Sequence, residues 1–328
     1  MAPGPAVLEV CRVSKNFEAD GGMLGAAFFK RNRPIVQAVS DVSLTLDQTE
    51  VLGLVGESGC GKSTLGRIVS GLIPASAGAI KLDGTPHHTL TAAERRDWAR
   101  NVQMIFQNPY ASLNPRQTIR KIVEEPLKVH GIASADEVGA QADDLLEQVG
   151  LDPSFGTRLP HELSGGQCQR VGIARALAVN PRILVCDEAV SALDVSIQAQ
   201  VLNLFADLRE RRTVAYLFIS HDLGVVERLS DRVAVMYLGR IVETAPKTDL
   251  FAAPKHPYTQ ALLDAVPRIG WRQSARTMIS GERPSPLDPP SGCHFHPRCP
   301  RATERCRTET PQLRDVGDNQ LVACHLYD

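Results

Sequence analysis

Neither sign of charge prevails in this 328-residue chain: 36 Lys and Arg stand against 37 Asp and Glu, a formal net charge of -1. That balance argues against a nucleic-acid surface and against a generally polybasic membrane patch. Long apolar runs are missing too. None approaches the roughly 20 residues that a helix needs to cross a bilayer, and the opening Met1-Ala2-Pro3-Gly4-Pro5 lacks the charged and apolar regions of a secretion signal. The expectation is a soluble, cytosolic protein unless a partner holds it at a membrane, with length for one large or two modest domains. Of eight cysteines, Cys11, Cys60, Cys168 and Cys186 are scattered, whereas Cys293, Cys299, Cys306 and Cys324 gather at the end. In a reducing cytosol such a gathering reads first as a metal site.

What is present begins with Gly56-Glu57-Ser58-Gly59-Cys60-Gly61-Lys62-Ser63-Thr64, which follows the apolar Val51-Leu52-Gly53-Leu54-Val55. A strand feeds a bare, glycine-rich loop that opens a helix, and side chains at the glycines would block backbone N–H groups from a phosphate. Lys62 is placed to meet the β- and γ-phosphates of a nucleoside triphosphate, Ser63 to hold Mg²⁺, and the helix N-terminus to add positive potential. A chance match would leave Lys62 a solvated surface charge. The apolar strand before the loop and the helical Leu65-Gly66-Arg67-Ile68-Val69 after it favour the phosphate site.

The pattern then changes three times. Residues 6–55 alternate as strands do, as in Val42-Ser43-Leu44-Thr45-Leu46, with a Gly-rich basic insertion at 20–34 read as a loop. Residues 92–179 read as mostly helical, punctuated by Pro109, Pro115, Pro126, Pro153 and Pro160. The short apolar runs Ile183-Leu184-Val185-Cys186 and Val214-Ala215-Tyr216-Leu217-Phe218-Ile219 flank an amphipathic stretch at 197–208. Strand, helix, strand at that spacing predicts a parallel sheet. Beyond Pro254 prolines thicken, and 284–300 reads as an extended tether ending in the cysteines.

Asp187-Glu188 closes the first of those runs. Acids at the carboxyl end of a buried parallel strand stand where α/β sheets bind ligands, so Asp187 is the expected Mg²⁺ partner. Glu188 is then positioned to act as general base on the attacking water. An ordinary acidic helix cap is the plainer alternative. Leu163-Ser164-Gly165-Gly166-Gln167, a serine and two glycines at the start of an apolar helix, forms a second anion site or, more simply, a helix cap.

Together these motifs resemble the ATP-binding cassette ATPases, in the family's order and spacing. Gln107 in Met104-Ile105-Phe106-Gln107-Asn108-Pro109, the loop Ser191-Ala192-Leu193-Asp194, and His221 in Phe218-Ile219-Ser220-His221-Asp222 match the same family. The resemblance implies a P-loop NTPase fold, α/β, with a RecA-like parallel-sheet core, an antiparallel β subdomain, a helical subdomain over about 108–180 and a cysteine-containing extension. It implies a cassette domain over 1–252, an extension over 253–328, and a head-to-tail dimer. Each ATP is then sandwiched between the phosphate loop (56–64) of one subunit and Ser164, Gly165, Gly166 and Gln167 of the other. Gln107 would sense Mg²⁺ and the γ-phosphate, His221 would contact the γ-phosphate and hold Glu188, and Asp194 would touch the facing subunit. Phe17 fits the place where an aromatic ring stacks on adenine, and a phenylalanine there is as readily core. Ala189 departs from the family's usual proline after the catalytic glutamate, which bears on turnover rate and removes no functional group.

Gln107-Asn108-Pro109-Tyr110-Ala111-Ser112-Leu113-Asn114-Pro115-Arg116, the run Ala192-Leu193-Asp194-Val195-Ser196-Ile197-Gln198-Ala199-Gln200, and the tail segments His256-Pro257-Tyr258-Thr259-Gln260-Ala261-Leu262-Leu263 and Gly292-Cys293-His294-Phe295-His296-Pro297-Arg298-Cys299-Pro300 are similar to the ATPase subunits of bacterial oligopeptide and dipeptide importers. Nickel and glutathione importers share much of this set. Cys168 and the insertion near Phe28-Phe29-Lys30 favour the F-type subunit. The resemblance implies ATP and Mg²⁺, a second ATPase subunit, two transmembrane permease subunits and a substrate-binding protein, with no nucleic acid, at the cytoplasmic face of the inner membrane. The rival, a soluble cassette ATPase of DNA repair or translation, usually carries two cassettes or a coiled-coil insertion, and neither is seen here. The tail cysteines are separated by five, six and seventeen residues, which matches no standard zinc finger. Four thiolates suit a [4Fe–4S] cluster, as some relatives with this extension carry, or structural Zn²⁺, with free thiols or oxidised pairs as further readings. His294 and His296 are either substitute ligands or solvated surface histidines.

Overall fold

The computed structural model describes residues 6–18, 34–265 and 281–328. Its strands are β1 (Ala6–Glu18), β2 (Ile35–Asp47), β3 (Val51–Val55), β4 (Ala77–Leu82), β5 (Thr85–Pro86), β6 (Val102–Ile105), β7 (Ile183–Asp187), β8 (Ala215–Ile219), β9 (Arg232–Tyr237), β10 (Arg240–Pro246), β11 (Arg314–Asp315) and β12 (Leu321–Val322). Its helices are α1 (Lys62–Val69), α2 (Ala92–Asn101), α3 (Pro109–Ser112), α4 (Ile119–Val129), α5 (Val138–Gln148), α6 (Gly165–Leu177), α7 (Val195–Arg211), α8 (Leu223–Leu229), α9 (Lys247–Ala252), α10 (Pro257–Asp264) and α11 (Glu304–Thr308). The insertion at 20–34, with Phe28, Phe29 and Lys30, lies outside the described residues except for Pro34.

Two sheets result. The antiparallel one runs β2-β1-β4-β5, with Leu8 opposite Leu46 and Val10 opposite Leu44. The larger runs β11-β12-β10-β9-β3-β8-β7-β6, and β9, β3, β8, β7 and β6 are mutually parallel. Strands β3, β7 and β8 are buried at every position, as unbroken apolar runs require when both faces of a parallel sheet are covered. Alternate residues feed two cores. Leu184, Cys186, Tyr216 and Phe218 pack with α7, α8 and the helical layer α4 to α6. Ile183, Val185, Leu217 and Ile219 pack with α1 and the antiparallel sheet.

Two sequence expectations change. Within the stretch read as helical, residues 102–105 form β6, paired in parallel with β7 from Val102 opposite Ile183 to Ile105 opposite Cys186. Four residues carry too weak a periodicity to announce a strand, and the neighbouring edge decides it. The stretch at 284–300 read as an extended tether is tied to the body, Pro286 O accepting from Gln37 N at 2.9 Å and Arg298 Nη1 donating to Glu57 Oε2 at 3.0 Å, and the chain beyond it joins the sheet. Strand β12 adds to β10, Leu321 opposite Thr244 and Val322 opposite Glu243, so the described end of the chain extends the core sheet. Among the described residues no helix is long and apolar enough to cross a membrane.

Candidate active site

Strand β3 delivers the chain into the loop at 56–61, and the loop's shape depends on its glycines. Gly56 and Gly61 have φ of +151° and +110°, and a Cβ on either would stand 2.1 Å from the Met236 carbonyl oxygen or 2.2 Å from that of Ala38. Only glycine fits between those backbones. Helix α1 then starts at Lys62, whose buried ammonium folds back over the loop and donates to the carbonyls of Gly56 (2.7 Å) and Glu57 (3.0 Å). A cavity of about 220 Å³ opens here, lined by residues 58–64 with Gln37, Gln107, Glu188 and Pro286. Cys60 is buried, and burial pushes its thiol up, so it serves as packing.

Across the cavity, β7 ends in Asp187. The Ser63 hydroxyl donates to Asp187 Oδ1 at 2.7 Å. Burial, helped by the neighbouring Glu188, pushes the Asp187 carboxyl up against the effect of that hydrogen bond. Two hard oxygen donors side by side at a strand end fit Mg²⁺, which takes one or two protein oxygens beside phosphate and water. Glu188 turns away from the strand in the left-handed region, φ +47°. Its carboxylate is clasped from both sides: Gln107 Nε2 donates to Oε2 at 2.7 Å, and His221 Nδ1 lies 3.2 Å from Oε1. Three motifs, drawn from the ends of β6, β7 and β8, thereby meet on one carboxylate. A non-glycine residue held at positive φ costs about 1 kcal/mol or more, and such strain gathers where geometry serves chemistry. Ala189, the residue after Glu188, is buried.

The serine motif stands apart. Ser164 caps α6, accepting from Gln167 N at 3.3 Å, while Gln167 Oε1 accepts from Ser164 N at 2.9 Å, a reciprocal capping box. Gly166 is required for packing, because a Cβ there would meet Ile197 Cγ2 of α7 at 2.3 Å. Ser164, Gly165, Gly166 and Gln167 do not line the phosphate cavity of their own chain. Asp194 is the exposed N-cap residue of α7 without a side-chain cap bond. Phe17 is 40 % exposed at the end of β1, with Lys15 Nζ 5.0 Å from its ring centroid, so it is not a core residue.

In the tail the outcome differs from expectation. All four cysteines are free. They lie within one another's electrostatic field: burial first, then the other tail thiols, pushes Cys293 up to about 11 and raises Cys299 and Cys324. Yet among the described residues no group of three or more His, Cys, Asp or Glu side chains is disposed to hold a metal ion. His294 is not a solvated surface histidine: it is buried, with Nδ1 at 3.0 Å from the Leu238 carbonyl and Nε2 accepting from Arg240 at 3.3 Å. His296 Nδ1 lies 3.0 Å from the Cys293 carbonyl.

Sequence reasoning missed a second set of contacts. Tyr258, Arg283, Pro286 and Arg298 all approach the phosphate loop or β2 beside it. The segments of Tyr258 and Arg298 stood out only as likenesses, Pro286 only as part of a tether and Arg283 not at all, since nothing local marks a residue whose partner lies over 200 positions away.

Comparison with known proteins agrees with this arrangement. Residues 39–191 match the family model described as ABC transporter, and residues 242–306 match the one described as oligopeptide/dipeptide transporter, C-terminal region. A probable peptide ABC transporter ATP-binding protein of Sinorhizobium fredii is 50 % identical over 98 % of this chain and 90 % of its own length. The oligopeptide transport ATP-binding protein AppF of Bacillus subtilis is 48 % identical over 98 % of this chain and 97 % of its own. The di/tripeptide transport ATP-binding protein DppF of Pseudomonas aeruginosa is 47 % identical over 97 % of each. Among solved structures, a dimeric, post-hydrolysis ATP-binding cassette bound to ADP and Pi superposes with a TM-score of 0.63 at 28 % identity, covering 73 % of this chain and 98 % of that one. A phosphate loop facing a clasped glutamate on a cassette fold, with relatives near 50 % identity along almost the whole length, leaves one conclusion: this chain belongs to the ABC transporter ATP-binding proteins, in the branch that carries the oligopeptide/dipeptide transporter C-terminal region.

Proposed function

We propose that this protein is the ATP-hydrolysing subunit that energises import of oligopeptides or dipeptides across the bacterial cytoplasmic membrane. The clasp of Gln107 and His221 on Glu188, beside the Ser63–Asp187 pair, carries the reading. In this proposal Lys62 leaves its loop carbonyls for the γ-phosphate, and the loop N–H groups from 58 to 64 cradle the triphosphate. Ser63, Asp187 and Gln107 would hold Mg²⁺, which neutralises charge on the phosphates when bound. Glu188 takes the proton of the attacking water, and His221 and Gln107 keep its carboxylate aimed. Ser164, Gly165, Gly166 and Gln167 would complete the site of a second ATPase subunit, a reading supported by their absence from the lining of their own chain's cavity. Phe17 is exposed enough to stack on adenine, and Asp194 to touch the facing subunit. The implied partners are that second ATPase, two permease subunits and a substrate-binding protein, with this chain peripheral at the cytoplasmic face.

Glu188→Gln tests the assignment in the assembled transporter. ATP binding should persist, turnover should fall at least about a hundredfold, the scale of a lost general base, and the dimer should stay closed. Wild-type turnover would remove Glu188 from the role.

A [4Fe–4S] cluster on Cys293, Cys299, Cys306 and Cys324, with Zn²⁺ as the alternative, is a finer element of the same proposal. Its support is that the four thiols are free and near enough to act on one another's ionisation, and binding would have to draw them onto one centre that they do not form here. Iron and zinc content of anaerobically purified protein decides between them. About four irons per chain supports the cluster, stoichiometric zinc the clamp, and metal-free protein retires both.

A further inference from the structure

Two tail segments, around Tyr258 and Arg298, have no role in the chemistry above, yet both end on one residue of the phosphate loop. Arg298 donates two parallel bonds to the Glu57 carboxylate, Nη1 to Oε2 at 3.0 Å and Nη2 to Oε1 at 3.0 Å. The Tyr258 hydroxyl accepts from the Glu57 backbone N–H at 2.9 Å, and Arg283 donates to the carbonyl of Ser58, the next residue. These groups are not loosely hung. The Arg298 side chain is only 9 % exposed, donates to the Tyr237 hydroxyl at 3.3 Å, and lies 5.8 Å from that ring's centroid. Tyr237, Tyr258 and Phe295 pack together, with centroids 4.7 Å apart for the two tyrosines and 5.2 and 5.4 Å from each to the phenylalanine.

Glu57 presents a difficulty that this arrangement answers. It places a carboxylate inside a loop whose task is to receive a triphosphate, and an unpaired anion there repels the ligand. Arg298, desolvated and two-pronged, cancels that charge and fixes the side chain that bears it. We propose that Arg298 is a positioning residue for nucleotide binding: through Glu57 it holds the phosphate loop in its receptive charge state and shape, so that full ATP affinity depends on a correctly docked C-terminal tail. The proposal rests on the ATP-site reading above.

Equilibrium ATP titration of the full chain tests it. Arg298→Gln should raise the Kd about tenfold at low salt, and the gap to wild type should shrink as ionic strength rises, because an uncompensated charge is screened. Adding Glu57→Gln to that variant should recover most of the lost affinity by removing the repelling carboxylate. If Arg298→Gln does not fold, Arg298→Lys, which keeps the charge without the paired bonds, should raise the Kd about threefold. An unchanged Kd, a salt-independent loss, or a double variant as weak as Arg298→Gln would overturn the proposal. Lys62→Ala, run alongside, separates the readings: normal ATP binding in that variant overturns the ATP site itself and this proposal with it.

Discussion

Gly61 and Gly84 share a left-handed backbone, with φ of +110° and +78°, but their surroundings differ. A Cβ on Gly61 would stand 2.2 Å from the Ala38 carbonyl oxygen and 2.9 Å from Met236 Cε, whereas nothing lies within 4 Å of one on Gly84. Alanine at either position costs about 1–2 kcal/mol of backbone strain, offset by about 0.4–1 kcal/mol from the stiffer unfolded chain. Gly84→Ala therefore nets about 1 kcal/mol. Gly61→Ala must also push the loop and β2 apart by roughly 1 Å, and a carbonyl in β2 cannot rotate away, so overpacking adds about 1–3 kcal/mol. The sum is roughly 3 kcal/mol, which at about 2 °C per kcal/mol for a chain this size lowers Tm by roughly 6 °C, against roughly 2 °C for Gly84→Ala. A loop displaced by about 1 Å also misplaces the phosphates, and turnover in the assembled transporter should fall on the order of a hundredfold. Calorimetry and ATP hydrolysis on the two variants read both effects. Equal Tm and equal turnover would refute the close approach as the reason for glycine at this position.

Lys62→Ala should lose most ATP binding together with hydrolysis, since its buried ammonium is the loop's main cation; unchanged affinity by titration would contradict the phosphate-loop assignment. Burial holds His256 near about 3, well below its ordinary 6.5, so between those limits the unfolded chain binds a proton that the folded chain refuses. Its contribution to stability is full above pH 6.5 and is lost as pH falls through that window, about 2 kcal/mol of it by pH 5. Urea unfolding at pH 7 and pH 5 should show a steeper loss for the wild type than for His256→Asn, which keeps an acceptor for the Tyr258 N–H; parallel losses would disprove the linkage. The Tyr216 hydroxyl is buried without a hydrogen-bond partner among the described residues, so Tyr216→Phe should be neutral or stabilising by about 1 kcal/mol. A loss above about 1 kcal/mol in chemical denaturation would show that the hydroxyl is satisfied.

The family was legible in the amino-acid sequence alone, and so were the candidate site residues that the fold brings together, because both are written in short contiguous runs. A phosphate loop is built from nine consecutive residues, and an acid pair at a strand end needs only the strand before it. The apolar runs of β3, β7 and β8 were equally plain, since burial on both sheet faces leaves Asp187 at the end of β7 as their one charged position. Distance along the chain is what tertiary structure alone resolved. Strand β6 exists because β7 offers it an edge. Glu188 is clasped by a glutamine 81 positions away, and Glu57 by an arginine 241 positions away. No local pattern records such a pairing, because the energy of a charge pair depends on separation and burial in space, which only the packed sheet and the returning tail create.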